Sequence, residues 1–492
     1  MKKTIALALA LALALAAFLA CSKEAGSEAA QESPGASEKA DDAEAGELPD
    51  LPNKTYGGRE LVIAAASETL WGNELICPES ETGDLVDDAT FRRTKTVEDL
   101  FDLSLAQLDI HFLEFESKVK NSVNAGDKTF DFIFPRSSHA LNLARDGYLF
   151  DLGHMPHIDP KRSWWDHAIV RDLPLKGKIF FLAGDINMYA YDGTFVMAFN
   201  KNIHQQLGLE NLYDAVSEGK WTVDKLDTVM RAAVKDLDGD GKMTFEDQFG
   251  MYANDIHAVI SFLTAFDCNA FEKISDSEIS FDITRPKFSA AIDKINHLMN
   301  DGDAVFDGTN SAKWKLPSSE WNYAQKVFSD GRALFMHQVL DTARMNRGMD
   351  DDFGMLPVPK FDESQKEYYS PVINDVYVVA VAASLPAEEA EMIGGVIEAM
   401  AYEGKRQILP AYYDKTLVYK NTRDDESKGM LDIIFSQRRY SLDETYNFGG
   451  IKEKIYMMVR ANKNELASLS EKNAEAIQKE IDRLLDKYAE RD

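Results

Sequence analysis

The sequence predicts an α/β protein whose sheets are mostly parallel. Short apolar runs typical of buried strands recur along the chain, and stretches with helical periodicity separate them. This alternation indicates the class, because parallel strands need a crossover connection that is usually a helix. The strand-like runs are 61–66, 108–115, 131–135, 178–184, 194–199, 333–336 and 376–381.

Helical patterns between the runs have apolar residues three and four positions apart. One example is formed by Val223, Leu226, Val229, Met230 and Ala233. The last element is predicted to be a helix with one apolar stripe. This stripe consists of Ile477, Ile481, Leu484, Leu485 and Tyr488.

Length and composition limit the functional classes. The chain has 492 residues, which corresponds to two or three domains at about 150 residues each. Its formal charge of −29 argues against a nucleic-acid partner, because phosphate binding needs clustered lysines and arginines. Three cysteines in a chain of this length do not form a disulfide framework, and Cys77 and Cys268 are expected to be buried thiols.

The N-terminus has the features of an export signal. Lys2 and Lys3 precede an uncharged run over 5–20, which is shorter than the roughly 20 residues of a membrane-spanning helix. The run ends in small residues before Cys21 and resembles a bacterial lipobox. That resemblance implies a signal peptide over 1–20, cleavage before Cys21 and a diacylglycerol on its thiol. The alternative is a plain signal peptide followed by an incidental cysteine.

Residues 21–54 are predicted to be a disordered acidic linker. The stretch 22–50 has nine acidic residues against Lys23 and Lys39, no aromatic residue and only one leucine. Such a segment cannot bury enough apolar area to offset the entropy lost on ordering. We therefore expect a solvated tether between a lipid anchor and an extracytoplasmic body, anchored to the cell membrane on the periplasmic side or at the cell surface.

The sequence contains no common catalytic motif. It lacks G-x-S-x-G, H-E-x-x-H, G-x-x-x-x-G-K and G-x-G-x-x-G. A zinc site around His154, His157 and His167 is disfavoured, because Pro156 breaks a helical two-histidine face. We assign no catalytic residue, no organic cofactor and no enzymatic activity.

One metal motif is well formed. Residues 236–247 read DLDGDGKMTFED, with acids at the first, third and fifth positions and Gly241 at the sixth, where the chain must turn sharply. This spacing converges oxygen ligands on one point, as calcium requires, and predicts a structural calcium site. The alternative is an acidic surface turn without metal. The predicted ligands are Asp236, Asp238, Asp240, the carbonyl group of Lys242, and Asp247.

Short motifs follow one another in a characteristic order along the body. They are DDA at 87–89 with Arg92, DFI at 131–133, WWD at 164–166, GK at 177–178, GDI at 184–186, FNK at 199–201, GKWT at 219–222, the acidic loop, DQFG at 247–250, GMLP at 354–357, TRD at 422–424 and MLD at 430–432. In this order the chain resembles the extracellular solute-binding proteins of bacterial ABC importers, in the branch of maltose-binding-like sugar receptors. The resemblance covers most of residues 58–450.

The resemblance implies a two-lobed fold of the periplasmic-binding-protein type, with a hinge and a ligand cleft between the lobes. It implies a monomeric receptor that closes on a solute and delivers it to permease subunits. By this resemblance, lobe one would hold 55–185 and 302–350. Lobe two would hold 186–301 and 351–492, with the last helix packing back across.

Candidate ligand-binding residues are polar and aromatic side chains that follow the predicted strands. Aromatic rings cover the apolar faces of sugars, while carboxylates, amides and hydroxyls bond their hydroxyl groups. One of Tyr189 and Tyr191 is expected to face the core, and Trp164, Trp165 and Trp221 are interpreted as packing residues. The candidates are Glu68, Trp71, Ser137, Ser138, Asp185, Asn187, Tyr189, Trp321, Gln338, Asp341, Asn374 and Asp375.

Four functions remain open at this point, and the fourth is a surface adhesin that works with no transporter. The preferred one is capture of a carbohydrate, in particular an oligosaccharide, for import without catalysis. The second is capture of a peptide or another polar solute. The third is a tethered glycan-degrading enzyme, which would need two carboxylates at a suitable separation across a cleft.

Overall fold

The structure is a computed structural model of the whole chain. It describes residues 47–67, 75–300, 302–309, 311–314, 316, 323–341, 346, 348–418 and 425–490. The predicted signal peptide, Cys21 and most of the predicted linker lie outside these residues. The unit that begins at Pro49 carries the fold described below.

The first sheet contains three parallel strands in the order β2–β1–β3. Their bounds are β1 Arg59–Ser67, β2 Leu103–His111 and β3 Phe132–Phe134. Segment 376–382 runs antiparallel beside β3, where Ala380 bridges Ile133, and Val379 bridges Leu182 on its other side. Every residue from Val376 to Ala382 is buried, which explains the continuous apolar run in the sequence.

Helices follow each strand of the first sheet, and two more helices precede β4. The helix α1 begins at an aspartate cap, in which the Asp84 carboxylate accepts hydrogen bonds from the backbone N–H groups of Val86 and Asp87. A 3-10 turn spans Leu152–His154. The helices are α1 Leu85–Phe101, α2 Phe112–Ala125, α3 Ser137–Asp146, α4 His167–Asp172 and α5 Tyr189–Asp192.

The second sheet is mixed and has the strand order β10–β4–β9–β5–β8. The strand β4 is antiparallel to both neighbours, whereas β5 is parallel to β8 and β9. Two smaller pairs, β6 with β7 and β11 with β12, lie outside it. The bounds are β4 Phe195–Asn200, β5 Phe249–Ala253, β6 Phe271–Ser275, β7 Glu278–Phe281, β8 Val305–Asp307, β9 Ala333–Val339, β10 Phe353–Leu356, β11 Ser370–Pro371 and β12 Arg438–Arg439.

The remaining helices surround the second sheet or return to the first. Two further 3-10 turns span Tyr323–Gln325 and Phe448–Gly450. The helices are α6 Lys201–Gln206, α7 Leu212–Ser217, α8 Val223–Ala232, α9 Asp255–Ala265, α10 Pro286–Asn300, α11 Ser311–Trp314, α12 Lys326–Ser329, α13 Ala390–Val418, α14 Asp425–Ser436, α15 Leu442–Thr445, α16 Ile451–Arg460 and α17 Leu466–Ala489.

Strand pairing corrects the predicted lobe boundaries. The strands β8 and β9, within the segment 302–350 that the sequence assigned to lobe one, pair with β4 and β5 in the second sheet. Segment 376–382, which was assigned to lobe two, lies in the first sheet. We use lobe one for the body around the first sheet and lobe two for the body around the second. The correction arises because hydrogen bonding between distant strands leaves no local pattern in the sequence.

The buried tryptophans are packing residues, as the sequence predicts. Trp164 and Trp165 donate hydrogen bonds from Nε1 to the two carboxylate oxygens of Glu398 in α13, at 3.1 and 2.9 Å. Burial raises the pKa of Glu398 to about 7, although both indole bonds favour its ionised form. Trp221 is also fully buried.

The C-terminal helix has the predicted apolar stripe, and all five of its residues are buried. It packs against α3 of lobe one and against the strand β7. Cys77 and Cys268 are buried free thiols, and burial raises both pKa values to about 11. Among the residues that the structure describes, every helix is too short or too polar to cross a bilayer.

Candidate functional site

The carboxyl ends of β1, β2 and β3 share one edge of the first sheet, because these strands are parallel. At this edge the chain turns from β3 into α3, and the incoming segment 376–382 starts beside it. The backbone N–H groups of Ser137 and Ser138 donate to the carbonyl groups of Val376 and Asn374, at 2.7 and 2.9 Å. These bonds hold Asp375 beside the N-terminus of α3.

Asp375 is held by two side chains and remains half-exposed. Ser138 Oγ donates to Asp375 Oδ1 at 2.9 Å, and Arg136 Nη1 lies 3.6 Å from Asp375 Oδ2. The Asp375 side chain is 46 % exposed, while that of Arg136 is 11 % exposed. The carboxylate is therefore fixed in direction while still presenting oxygen atoms to solvent, as an acceptor for solute hydroxyl groups would require.

An aromatic stack positions Arg136. Its guanidinium lies over the ring of Phe112, 4.2 Å from the ring centroid, and Phe112 stacks on His139. His139 in turn stacks on Phe115. The Phe112 ring therefore helps to orient the guanidinium of Arg136.

The corresponding edge of lobe two is formed by the carboxyl ends of β5, β8 and β9 and the amino end of β4. Here Leu340 donates its backbone N–H to the carbonyl of Thr194 at 2.9 Å, and Asp341 donates to that of Asp192 at 3.1 Å. Gln338 and Asp341 are both buried at this edge. In open α/β sheets, ligands bind in crevices at such strand ends.

The chain crosses between the two lobes at these edges. Thr194 bridges Val372, and Ile373 donates its backbone N–H to the carbonyl of Gly193 at 3.0 Å. Only three residue steps separate Val372 from Asp375, which is at most about 11 Å of extended chain. The polar residues that end the strands of both lobes therefore lie near this crossing.

His337 in β9 is buried and serves as packing. Its ring stacks on Phe195 with centroids 5.1 Å apart, and Nε2 lies 2.9 Å from Ser261 Oγ. Burial, together with the nearby His257, lowers the pKa of His337 to about 3. The imidazole is therefore neutral at physiological pH and adds no charge to this lobe.

Asp185 belongs to a buried network in segment 184–194, which leads from lobe one into β4 of lobe two. Tyr191 donates its hydroxyl to Asp185 Oδ1 at 2.7 Å, and Arg438 covers the Tyr191 ring at 4.0 Å from its centroid. Arg438 Nη2 lies 3.3 Å from Asp166 Oδ2, and Tyr440 donates to the same oxygen at 2.8 Å. Asp185 is 2 % exposed, and burial raises its pKa to about 7. In this network Asp185 is engaged by protein groups, and its role in ligand binding stays a prediction.

The other predicted residues of this segment are arranged locally. Asn187 is buried and its Oδ1 accepts from the backbone N–H of Tyr189 at 3.0 Å. Its Nδ2 has no hydrogen-bond partner among the described residues. Tyr189 is partly buried with its ring edge-on to Tyr377, whereas Tyr191 is buried, so one tyrosine faces the core as expected.

The structure brings Ser137, Ser138, Asn374 and Asp375 together at the edge of lobe one. Asn374 donates Nδ2 to the carbonyl of Glu444 at 2.9 Å, so its amide is engaged in structure. Glu68, Trp71 and Trp321 lie outside the described residues and stay predictions. Sequence reasoning missed Arg136 and Phe112, although an arginine directly after a buried strand was a usable signal.

The acidic loop brings three of its five predicted ligands together. One carboxylate oxygen from each of Asp236, Asp238 and Asp240 lies within 4.8 Å of the others. The loop turns at Gly239 and Gly241, whose φ angles of 75° and 80° favour glycine. Backbone N–H groups of these glycines donate to Asp236 at 2.7 Å and hold the pKa of its carboxyl below the usual value.

Asp247 closes the base of this loop. Its two oxygens accept from the backbone N–H groups of Leu237 and Thr244 at 2.8 and 2.7 Å, and it is almost fully buried. Phe245 packs in the core of lobe two, where Arg332 covers its ring and donates to its carbonyl. Asp247 and Phe245 thus fasten the loop to the core of lobe two.

Comparisons with known proteins address the fold. No protein-family model and no curated sequence matches the chain. Solved structures match over nearly their whole length. UspC of M. tuberculosis aligns with a TM-score of 0.56 at 12 % identity, over 85 % of this chain and 99 % of UspC. The chain has the two-lobed fold of ABC solute-binding proteins.

Two further solute-binding structures match equally well. The cyclic α-maltosyl-1,6-maltose binding protein of Arthrobacter globiformis has a TM-score of 0.55 at 13 % identity, over 87 % of this chain and 99 % of that protein. The ABC substrate-binding protein Lmo0181 of Listeria monocytogenes, in complex with cycloalternan, has a TM-score of 0.53 at 11 % identity, over 88 % and 99 %. The predicted two-lobed α/β fold is confirmed.

Proposed function

We propose that this protein captures a carbohydrate, in particular an oligosaccharide, in the interlobe cleft for uptake by an ABC importer, and that it catalyses no reaction. The observation that carries the proposal is the half-exposed Asp375, fixed by Ser138 and Arg136 at the strand ends that border the cleft. A carboxylate fixed in this way accepts hydrogen bonds from sugar hydroxyls without losing conformational freedom on binding.

The structural relatives support this choice of solute. These relatives are described as binding cyclic α-maltosyl-1,6-maltose, cycloalternan, acarbose, maltotriose and maltotetraose. Those relatives are described as receptors and binding proteins rather than enzymes, which favours capture without turnover. Identities of 11–13 % mean that the ligand has to be tested on this chain.

Thermal denaturation against maltotriose, maltotetraose and cyclic glucans tests the proposal. A sugar at 100 times its Kd stabilises the folded protein by about 2.7 kcal/mol, which is visible as a rise in Tm. Asp375→Ala should remove most of this rise, whereas Asp214→Ala, an exposed carboxylate in α7, should leave it unchanged. Equal rises in both variants would contradict the role of Asp375, and release of smaller sugars on long incubation would contradict the absence of catalysis.

We also propose that the acidic loop binds one structural Ca²⁺ through Asp236, Asp238, Asp240 and the carbonyl of Lys242, with Asp247 at the twelfth position. The three convergent carboxylates support it. Millimolar calcium should raise Tm, and Asp238→Ala should abolish the rise while Asp214→Ala keeps it. The absence of any calcium-dependent shift in the unmodified protein would refute the site.

The N-terminal sequence supports a third proposal, that Cys21 carries a lipid that anchors the body outside the cytoplasm. We expect Cys21→Ser to move the protein from the membrane fraction to the soluble extracytoplasmic fraction. Retention of this variant in membranes would contradict lipidation.

A further inference from the structure

A polar cavity of about 560 Å³ lies beside the C-terminal end of α4. It is bounded by the last residues of α4, the turn after α9, the strand β6 and the segment 439–442. Among its described lining residues, none belongs to the sheet edge that carries Ser138 and Asp375, and none was predicted from the sequence to bind a ligand. The volume falls within the range of small-molecule sites, about 300–1,000 Å³.

The amide of Asn269 in this cavity is oriented by two buried hydroxyl groups. Thr264 Oγ1 and Ser441 Oγ both donate to Asn269 Oδ1, at 3.0 and 3.1 Å. Because Ser441 Oγ accepts from the backbone N–H of Asp443 at 3.1 Å, its own proton is available for this bond. The Oδ1 atom is therefore the acceptor, and Nδ2, which has no acceptor among the described residues, remains a donor on the cavity wall.

Asp267 supplies an acceptor on the same turn. Its backbone φ is 56°, its side chain is exposed, and its carboxylate has no hydrogen-bond donor among the described residues. The turn is held in place because the buried Asp443 carboxylate accepts from the backbone N–H groups of Ala270 and Phe271, at 2.6 and 2.9 Å. A fixed donor and an acceptor thus stand two residues apart, and neighbouring sugar hydroxyls can bond both of them.

The cations that line the cavity already have carboxylate partners. Asp172 accepts from Arg171 Nε and Nη2 at 2.6 and 2.8 Å, and its Oδ1 lies 3.8 Å from Arg439 Nη1. Lys273 Nζ lies 2.7 Å from Asp276 Oδ1 and also donates to the carbonyl of Arg171 at 3.3 Å. Lys273 therefore joins β6 to α4 across the cavity.

The remaining charges also balance. Glu272 is paired with Arg285, and the carboxylate of Asp267 offsets the positive charge that exceeds Asp172. An anionic ligand would have to compete with carboxylates that are already bound, and a cationic ligand would meet the arginines. The cavity therefore favours a neutral molecule whose polar groups both donate and accept hydrogen bonds.

We propose that this cavity is a second carbohydrate-binding site, which takes a neutral mono- or disaccharide. One sugar hydroxyl accepts from Asn269 Nδ2 and a neighbouring hydroxyl donates to Asp267, while Arg171 and Arg439 on the opposite wall supply further donors. The inference goes beyond the proposed function, because capture of a solute at Asp375 requires no second site.

Hydrogen exchange measured by mass spectrometry tests the site, with glucose, mannose, galactose and maltose as probes. We expect at least one of these sugars to slow exchange in peptides from 267–276 and 439–442. Asn269→Asp keeps the acceptor for both hydroxyls but replaces the Nδ2 donor with an oxygen atom, so it should raise Kd at this site by about tenfold or more. Asn121→Asp, which adds the same charge at an exposed position in α2, should leave Kd unchanged.

Asp267→Asn provides a second variant, because asparagine tolerates the left-handed backbone conformation at this position and removes only the charge. It should also weaken binding, since a carboxylate is the stronger acceptor. Equal slowing of exchange in Asn269→Asp and in the unmodified protein would overturn the proposal. The absence of slowing at 267–276 with every one of these sugars would overturn it too.

The same measurement separates this inference from the proposed function. Slowing at 267–276 that persists in Asp375→Ala would support the second site, whatever happens at the strand ends of lobe one. A sugar that slows exchange at 136–139 and 374–376 and leaves 267–276 and 439–442 unchanged would refute the second site and support the proposed function.

Discussion

Two carboxylates in this molecule have similar partners and different surroundings. The Asp375 carboxylate accepts a hydrogen bond from a serine hydroxyl and lies near Arg136. The Asp185 carboxylate accepts one from a tyrosine hydroxyl and lies near Arg438. The first is half-exposed at the edge of the first sheet, and the second is buried in segment 184–194. Burial decides the role, because a buried carboxylate must be satisfied by protein groups, while an exposed one remains available to a solute.

Substitution of Arg438 and of Arg136 should give the largest difference in folding stability. Arg438 and Asp166 form an ion pair whose side chains are 7 % and 3 % exposed. Arg438→Met leaves Asp166 charged and buried with less compensation, which costs about 3–5 kcal/mol. Arg136→Met should cost under about 1 kcal/mol, because water can solvate Asp375. Urea denaturation of both variants measures the difference, and equal losses of stability would refute the assigned roles.

The folding stability should depend on pH through the ionisation of the buried Asp185 carboxylate. Burial raises the pKa of folded Asp185 to about 7, above the value of 3.8 for an exposed aspartate. The folded state therefore holds a proton that the unfolded state releases, and stability is lost as pH rises from about 4 through 7. The stability at stake is at most about 4 kcal/mol.

Asp185→Asn should flatten this dependence between pH 5 and pH 8 in urea titrations. Burial also raises the pKa values of Glu398 and Asp443 to about 7, so the variant keeps a smaller slope of the same sign. Asp375→Asn serves as the exposed control. A slope in Asp185→Asn that equals the slope of the unmodified protein would contradict the assignment.

Removal of the hydroxyl groups of Tyr191 and Ser138 gives a third comparison of folding stability. Tyr191→Phe leaves the buried Asp185 without its donor and should cost about 1–3 kcal/mol of folding free energy. Ser138→Ala removes a bond to an exposed carboxylate and should cost less than about 1 kcal/mol, because water replaces the serine. Urea denaturation compares them, and a larger cost for Ser138→Ala would reverse the interpretation.

The same serine should matter more for the solute than for the fold. Ser138→Ala frees Asp375 to rotate, so we expect weaker binding of whichever glucan raises Tm, by up to about tenfold. Isothermal titration with that glucan measures the loss. Unchanged affinity would mean that Arg136 alone positions the carboxylate.

Local patterns predicted much of the fold. The apolar runs over 61–66, 131–135, 194–199 and 333–336 became β1, β3, β4 and β9. The run over 108–115 was only partly right, because β2 ends at His111 and α2 begins at Phe112. The runs over 178–184 and 376–381 are extended but make only isolated bridges.

The residues of the candidate site could be predicted where they lie next to a buried strand in the sequence. Ser138 and Asp375 were predicted because polar residues next to buried strands mark a sheet edge, and the structure places them together at such an edge. Asp185 satisfied the same rule and is nevertheless buried, since Tyr191, Arg438 and α13 reach it from distant parts of the chain. A rule that uses only the ends of strands cannot predict which residues are buried by helices and strands that are distant in the sequence.

The sequence by itself determined the α/β class, most strands, the apolar stripe of the last helix and the acidic loop, since these depend on residues close together in the chain. Only the tertiary structure decided that β8 and β9 join the second sheet, and that Asp375 is half-exposed at a sheet edge while Asp185 is buried. These features depend on hydrogen bonds and burial between residues far apart, which local periodicity does not encode.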